Sequence, residues 1–370
     1  MLSRSLRSTT QVLGILALGV LTACGGGASA PSTPPLGVSQ AAAPQAQLEM
    51  LASTSSPALS SYATIYSFKG STGGGTYPAG LIAVNGALYG TTGSGGAANG
   101  GTVFEVSTSG VERTIYGFTG GTDGASPVAS LIDVNGALYG TTEFGGANNL
   151  GTVFEVSTSG AERVLHSFTG GTDGSSPVAN LVAVNGALYG TTTSGGTNNL
   201  GTVFEVSTSG TERVLYSFKG GTDGSDPYAG LIEVNGTLYG TTASGGGAAN
   251  SGTVFEASPS GTERVLYSFK DGTDGAVPIA SLIAVNGALY GTTFGRRAAG
   301  NLGTVFEVST SGTERVLHSF KGGTDGAEPD ASLIDVNGAL YGTTGSGGAN
   351  GAPIEHGGVN GVGTVFKVSP

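Results

Sequence analysis

The sequence predicts an all-β fold, a six-bladed β-propeller of four-stranded antiparallel blades, closed by pairing the first strand with the last blade. Three observations predict it. Asn-Gly recurs at Asn85, Asn135, Asn185, Asn235, Asn286 and Asn337, and Gly-Thr-Val-Phe at Gly101, Gly151, Gly201, Gly252, Gly303 and Gly363, so one unit repeats every 50 or 51 residues, the last stretched to 60. A period of this size built from short strands marks a propeller or a solenoid. Each unit holds four apolar, β-branched runs with turn residues between them, enough for one blade. The repeats also begin out of phase: residues 62–68 read as a lone last strand, and residues 364–369 as a third strand with no fourth after it. Pairing these ends completes a sixth blade and closes a ring, where a solenoid would need polar caps.

In the second unit the four strands are a (residues 129–134), b (137–142), c (152–157) and d (162–168). Asn135-Gly136 between a and b suits a two-residue hairpin turn with positive φ at both positions. Thr158-Ser159-Gly160 between c and d suits a type I turn closed by a left-handed glycine. That loop length fixes register. It sets Glu105 opposite Arg113, Glu155 opposite Arg163, Glu205 opposite Arg213, Glu256 opposite Arg264 and Glu307 opposite Arg315. Such pairs read as cross-strand ion pairs rather than a ring of ligands. At the closing hairpin the two positions are Lys367 and Ala63, so both charges change together there.

Composition supports this. The 70 glycines follow no period of three and sit beside Asn, Asp, Ser and Thr, as turn residues do. A net charge of −11 lacks the basic footprint of nucleic-acid binding. Cys24 is the one cysteine, which excludes an intrachain disulfide.

Domain organisation follows from the first sixty residues. Arg4 and Arg7 precede an apolar stretch too short to span a membrane, and Leu21-Thr22-Ala23-Cys24 resembles a bacterial lipobox. Residues 1–23 are therefore expected to be a signal peptide and Cys24 the lipidated first residue. Gly25 after it, where an Asp would signal inner-membrane retention, favours an outer-membrane lipoprotein, periplasmic or surface-exposed. Residues 24–61 are rich in Ala, Pro, Ser and Gln and read as a disordered tether. Residues 62–370 form the propeller.

Asp173 to Pro177, Leu188 to Thr192, Gly195-Gly196, Gly201 to Glu205 and Tyr216 to Phe218 resemble the GloVer tandem repeat of exported bacterial proteins with varied anchors. The resemblance spans residues 62–370. It implies export and brings no established activity. The chain departs from that pattern in its amino-terminal lipobox and short carboxyl end.

Successive connections of a blade alternate between two faces. The a–b and c–d turns are tight; the b–c and d–a loops are longer and more varied, so their face is the candidate for binding. It carries Asp123, Asp173, Asp223, Asp274 and Asp325, which in an Asp-Gly context read first as turn residues. Arg296 and Arg297 stand there in place of Gly-Gly, and the insertion 351–362 adds Glu355 and His356. His166 and His318 align with tyrosines and read as packing substitutes. Acids on alternate units, Asp133, Glu233 and Asp335, would meet in the channel if strand a is innermost, and three carboxylates there would suit a divalent cation such as calcium or magnesium. The competing reading puts them at a solvated rim beside the Asn-Gly turn. No nucleophile elbow, zinc spacing or phosphate loop is present. The leading expectation is thus a monomeric, membrane-tethered binding or structural module at the cell envelope, with glycans or envelope polymer as its ligand. The alternative is a polysaccharide-active enzyme using carboxylates near the channel.

Overall fold

In the computed structural model the described residues are 63–70, 75–348, 352–354, 358–360 and 362–370. One compact unit runs from Ile65 to Pro370. Its strands form six consecutive antiparallel sheets, and the fold is a six-bladed β-propeller. The second blade is Ile132–Val134, Ala137–Thr142, Thr152–Ser157 and Glu162–Ser167, paired in that order. These are strands a to d, and the same four recur in the third, fourth and fifth blades.

Local chemistry sets the strands' length and register. At the a–b turn Asn135 has φ 56° and Gly136 φ 86°, the two positive values that match the turn to the twist of its flanking strands. At the c–d turn the Gly160 N–H donates to the Ser157 carbonyl and the Ser157 N–H to the Ala161 carbonyl, both at 2.9 Å. Gly160 is required twice over. Its φ is 97°, and a Cβ there would lie 2.7 Å from the Ile115 carbonyl oxygen of the preceding blade. The expected register holds, with Glu105 opposite Arg113, Glu155 opposite Arg163, Glu205 opposite Arg213, Glu256 opposite Arg264 and Glu307 opposite Arg315.

Strand a is shorter than expected. It begins at Ile132, not at residue 129, because the preceding stretch bonds across blades instead of along the ladder. Thr91 Oγ1 donates to the Ala129 carbonyl at 2.9 Å, and Thr141 and Thr191 do the same to Ala179 and Ala229. In these three blades a central threonine of strand b thereby takes up a backbone acceptor of the next blade, which needs a partner once buried.

The core lies between blades. Tyr139, Val153, Leu165 and Phe168 of the second blade pack with Leu181, Leu188, Phe204 and Val206 of the third. Phe168 meets Phe204 edge-on at 5.2 Å, and the contact recurs as Phe118–Phe154, Phe218–Phe255, Phe269–Phe306 and Phe320–Phe366. Fully burying one such ring contributes about 1.5–3 kcal/mol. Leu165 is the unpaired residue of a bulge in strand d, since Val153 pairs with His166 and Phe154 with Val164. The extra residue points a second apolar side chain into the core.

A polar clasp runs along the outside. Arg113 bonds Glu105 at 2.5 Å and its Nη2 also donates to the Thr158 carbonyl in the next blade at 3.0 Å. Arg163, Arg213 and Arg264 reach Thr208, Pro259 and Thr310 in the same way. These arginines are half exposed, so each pair contributes only about 0.2–1 kcal/mol.

The closing blade departs from expectation. Thr364–Val368 pairs with Ala339–Thr344, and the sixth sheet has three strands among the described residues. Residues 65–69 form no ladder strand and dock on the first blade. Phe68 meets Phe104 edge-on at 5.0 Å, and the Tyr66 hydroxyl donates to Glu112 at 3.2 Å. The segment thus keeps the contacts of a strand d toward the following blade, and among the described residues it forms no ladder with Thr364–Val368. Val365 is 79% exposed, whereas its counterparts Val103 and Val153 are at 0%. The physical reason lies in connectivity. Elsewhere a short turn ties c to d, but here the two belong to opposite ends of the chain and pairing costs loop-closure entropy. Lys367 and Ala63 offer no ion pair to offset it.

Central channel and loop face

Strand a is the innermost strand, and the residues just before it line one central cavity of about 320 Å³. Every blade contributes: Ala79-Gly80, Val128 to Ser130, Val178 to Asn180, Tyr228 to Gly230, Ile279 to Ser281 and Asp330 to Ser332. The alanine in each set is constant. The residues flanking it are not, and they carry the only chemistry the channel has among the described residues. On one side stand Val128, Val178, Tyr228, Ile279 and Asp330; on the other Gly80, Ser130, Asn180, Gly230, Ser281 and Ser332. Sizes around the ring are mutually adjusted. A Cβ on Gly230 would lie 2.5 Å from Asn180 Oδ1, and one on Gly80 the same distance from Ser130 Oγ. The Gly230 N–H donates to Ser281 Oγ at 3.0 Å. Sequence reasoning missed this lining. The signal was present: it is where otherwise near-identical units differ from one another.

The carboxylates expected in the channel sit elsewhere. Asp133, Glu233 and Asp335 are exposed. Asp133 accepts the Gly136 N–H at 3.0 Å and Glu233 the Gly236 N–H, so both fold back onto their own hairpins. Among the described residues no three His, Cys, Asp or Glu side chains come together as a metal group. Asp330 is the carboxylate that reaches the channel lining.

The loop-face aspartates are turn locks. Asp123 accepts the Thr119 N–H at 2.8 Å, the Thr119 hydroxyl at 2.5 Å and the Tyr116 hydroxyl at 2.9 Å. Burial pushes its carboxyl up, but these hydrogen bonds outweigh it and hold Asp123 below the usual range. Asp223 and Asp274 take the hydroxyls of Tyr216 and Tyr267, and Asp173 and Asp325 take His166 and His318 instead. Both histidines also lie edge-on to the next aromatic, Phe168 and Phe320, as the tyrosines do.

Arg296 and Arg297 bridge blades. Arg296 donates to the Ala249 and Asn250 carbonyls of the fourth blade and pairs with Asp271 at 3.3 Å. Arg297 grips Glu328 with two nitrogens, at 2.8 and 2.5 Å, and reaches Ser346 of the sixth blade at 3.2 Å. Cys24, Glu355 and His356 lie outside the described residues; the insertion contributes a hairpin of Ala352–Ile354 with Gly358–Asn360.

A second set that sequence reasoning missed lies between blades. Glu162, Glu212, Glu263 and Glu314 open strand d, and each has a buried Oε1 with no hydrogen-bond partner. Each faces the turn-locking aspartate of the preceding blade: Asp123, Asp173, Asp223 and Asp274. Burial, then the neighbouring carboxylate, pushes Glu162 and Glu212 up to about 7 and Glu263 up to about 8; Glu314 is raised for the same reasons. The alternation of a strand carried the signal, since an Arg on the outer face puts the adjacent Glu on the other.

This architecture defines a class: a β-propeller built from a single repeated unit, with its variation concentrated in the channel. The chain belongs to the Gloeobacter/Verrucomicrobia repeat family, whose model matches residues 52–255 and 243–370. No curated protein matches it. Among solved structures it is similar to a luciferin-regenerating enzyme (13% identity, 80% of this chain and 92% of that one, TM-score 0.48). It is also similar to a gluconolactonase from Xanthomonas campestris (14%, 80% and 85%, 0.43) and to the calcium-binding protein regucalcin from Agrobacterium tumefaciens (13%, 79% and 89%, 0.39). At these values the likeness says nothing of activity or ligand. Among the described residues no helix is long and apolar enough to cross a membrane.

Proposed function

We propose that the protein is exported, anchored in the outer membrane by a lipid on Cys24, held away from it by residues 25–61, and acts there as a binding or structural module for glycans or other envelope polymer. One observation carries the reading. Among the described residues, the candidate loop-face charges Asp123, Asp173, Asp223, Asp274 and Asp325 are engaged in the scaffold as turn locks, and Arg296 and Arg297 as inter-blade bridges. What they leave is a ring whose distinctive surface is a channel lined by hydroxyl, amide and apolar groups with one carboxylate, Asp330, and binding residues are commonly carried on such a scaffold. The test is a glycan array probed with the full-length chain, alongside membrane fractionation. Retention of envelope glycans by a membrane-associated protein is the expected result; a membrane-associated protein that retains none loses the binding half of the reading. Turnover of a retained glycan would establish the alternative, a polysaccharide-active enzyme.

A further inference from the structure

A symmetric scaffold with an asymmetric lining suits one ligand rather than six. The blades repeat nearly unchanged, yet the position before the constant alanine runs Val, Val, Tyr, Ile, Asp in the second to sixth units, and the position after it Gly, Ser, Asn, Gly, Ser, Ser in all six. Those are the positions that face the cavity. The hairpin turns and the buried aromatic contacts do not demand this variation, since they recur in every blade; within the lining itself the residues are adjusted to one another.

The lining specifies a ligand chemistry. Ser130, Asn180, Ser281 and Ser332 offer uncharged donors and acceptors, and Asp330 adds one acceptor at the edge. Tyr228 is 49% exposed, an aromatic face left open beside these groups. A cavity of about 320 Å³ is near the lower end of the 300–1,000 Å³ usual for small-molecule sites. Hydroxyl and amide groups around the wall with a single aromatic platform match a polyhydroxylated ring, which has polar edges and an apolar C–H face. A charged ligand would find no opposite charge except at Asp330.

We propose that the central channel is a single binding site for a neutral sugar ring, the end or one residue of a glycan chain, with Tyr228 stacking on its C–H face and Asn180, Ser130, Ser281 and Ser332 bonding its hydroxyls. The proposal rests on the glycan reading above and assigns it a place and a stoichiometry. Gly230 belongs to the site as the residue that leaves room for the Asn180 amide.

Calorimetry on the full-length chain with neutral cello-, malto- and xylo-oligosaccharides tests it. The expected result is one site per chain for at least one series, weakened roughly tenfold or more by Tyr228→Ala and by Asn180→Ala. Ser332→Tyr, at an exposed position, plugs the cavity without disturbing the packed core, and a thermal midpoint kept within a few degrees shows that each variant is folded. Binding by the parent that these variants leave unchanged, or a stoichiometry of several sites per chain, overturns the channel site and leaves the glycan reading standing. No binding of any neutral series by the folded parent overturns the channel site, while retention of a charged glycan on the array would still support the broader reading.

Discussion

Arg296 lies 3.3 Å from Asp271, and both stand where the other units carry glycine. The two departures from the repeat are thus one substitution in two parts. Asp271 Oδ1 is buried without a hydrogen-bond partner, and the residue sits at φ 57°. Its cost is offset by the guanidinium, which also clasps the fourth blade through Ala249 and Asn250.

A double-mutant cycle follows from that pairing. Arg296→Ala should be the more destabilising of the two single changes, because it leaves the Asp271 carboxylate, with its buried Oδ1, without its ion-pair partner. Asp271→Gly should cost less, since glycine relieves the positive φ as the ion pair is lost. Combining them should recover part of the loss, with a coupling of about 0.5–1 kcal/mol by denaturant unfolding. Additive effects would show that the pair is not coupled. Arg297 and Glu328 form a second such pair and should behave alike.

The inter-blade glutamates predict how stability depends on pH. Glu162, Glu212, Glu263 and Glu314 face Asp123, Asp173, Asp223 and Asp274; Tyr116, Tyr216 and Tyr267 adjoin the first, third and fourth, and Lys219 and Lys270 the last two. Their carboxyls are raised in the folded protein, so the folded state holds protons that the unfolded chain has released. The stability this gives is complete below the unfolded value of 4.5 and is lost as pH rises through about 7 to 8. Asp123 works in the opposite sense at lower pH, since its lowered carboxyl loses stability only as pH falls below the unfolded value of 3.8. The thermal midpoint should therefore fall between pH 5 and pH 8.5, and replacing the four glutamates with glutamine should flatten that slope. A midpoint that rises over the same range would contradict the assignment.

Much of this fold was legible because it is local chemistry repeated. The Asn135-Gly136 turn, the Glu155–Arg163 register and the b and c strands of the second blade follow from turn residues and alternation alone. What was not legible depends on neighbours in space. Strand a looks like six residues in sequence, but Ala129 gives its carbonyl to Thr91 of another blade and leaves the ladder. Asp133 and Glu233 read as channel ligands by their spacing, yet a side chain one turn from an Asn-Gly hairpin finds the Gly136 or Gly236 N–H first. The channel lining carries no motif, and only its variation among the units marks it.

Strand b shows why Leu-Tyr-Gly-Thr-Thr needs its glycine. A Cβ on Gly190 would lie 2.6 Å from Phe204 Cζ and 2.9 Å from Leu181 Cδ2, both in the packed core. Gly190→Ala should destabilise by about 1–3 kcal/mol by overpacking. Gly186→Ala, with open space around it but φ 83°, should destabilise through backbone strain alone. Adding Phe204→Leu to each separates the causes, because relief should appear only with Gly190→Ala. Relief in both, or in neither, would mean that the ring does not set the constraint.

The sixth blade, three-stranded among the described residues, makes the last prediction. Phe68 and Phe118 make equivalent edge-on contacts with Phe104 and Phe154, at 5.0 Å each. Phe118 is at 0% exposure and directly follows a strand d that pairs with strand c, its own N–H donating to the Gly101 carbonyl at 2.9 Å, so Phe118→Ala should cost about 3–5 kcal/mol. Phe68 is only partly buried and its segment forms no ladder among the described residues, so Phe68→Ala should cost distinctly less. Hydrogen exchange offers a second view of the same asymmetry. Backbone amides of Thr364–Val368 should exchange faster than those of Thr152–Ser157, because the former are paired on one side and the latter on both. Equal costs for the two phenylalanines, together with equal protection of the two strands, would mean that residues 62–68 and the last strand pair in solution and that the ring is closed as the sequence first suggested.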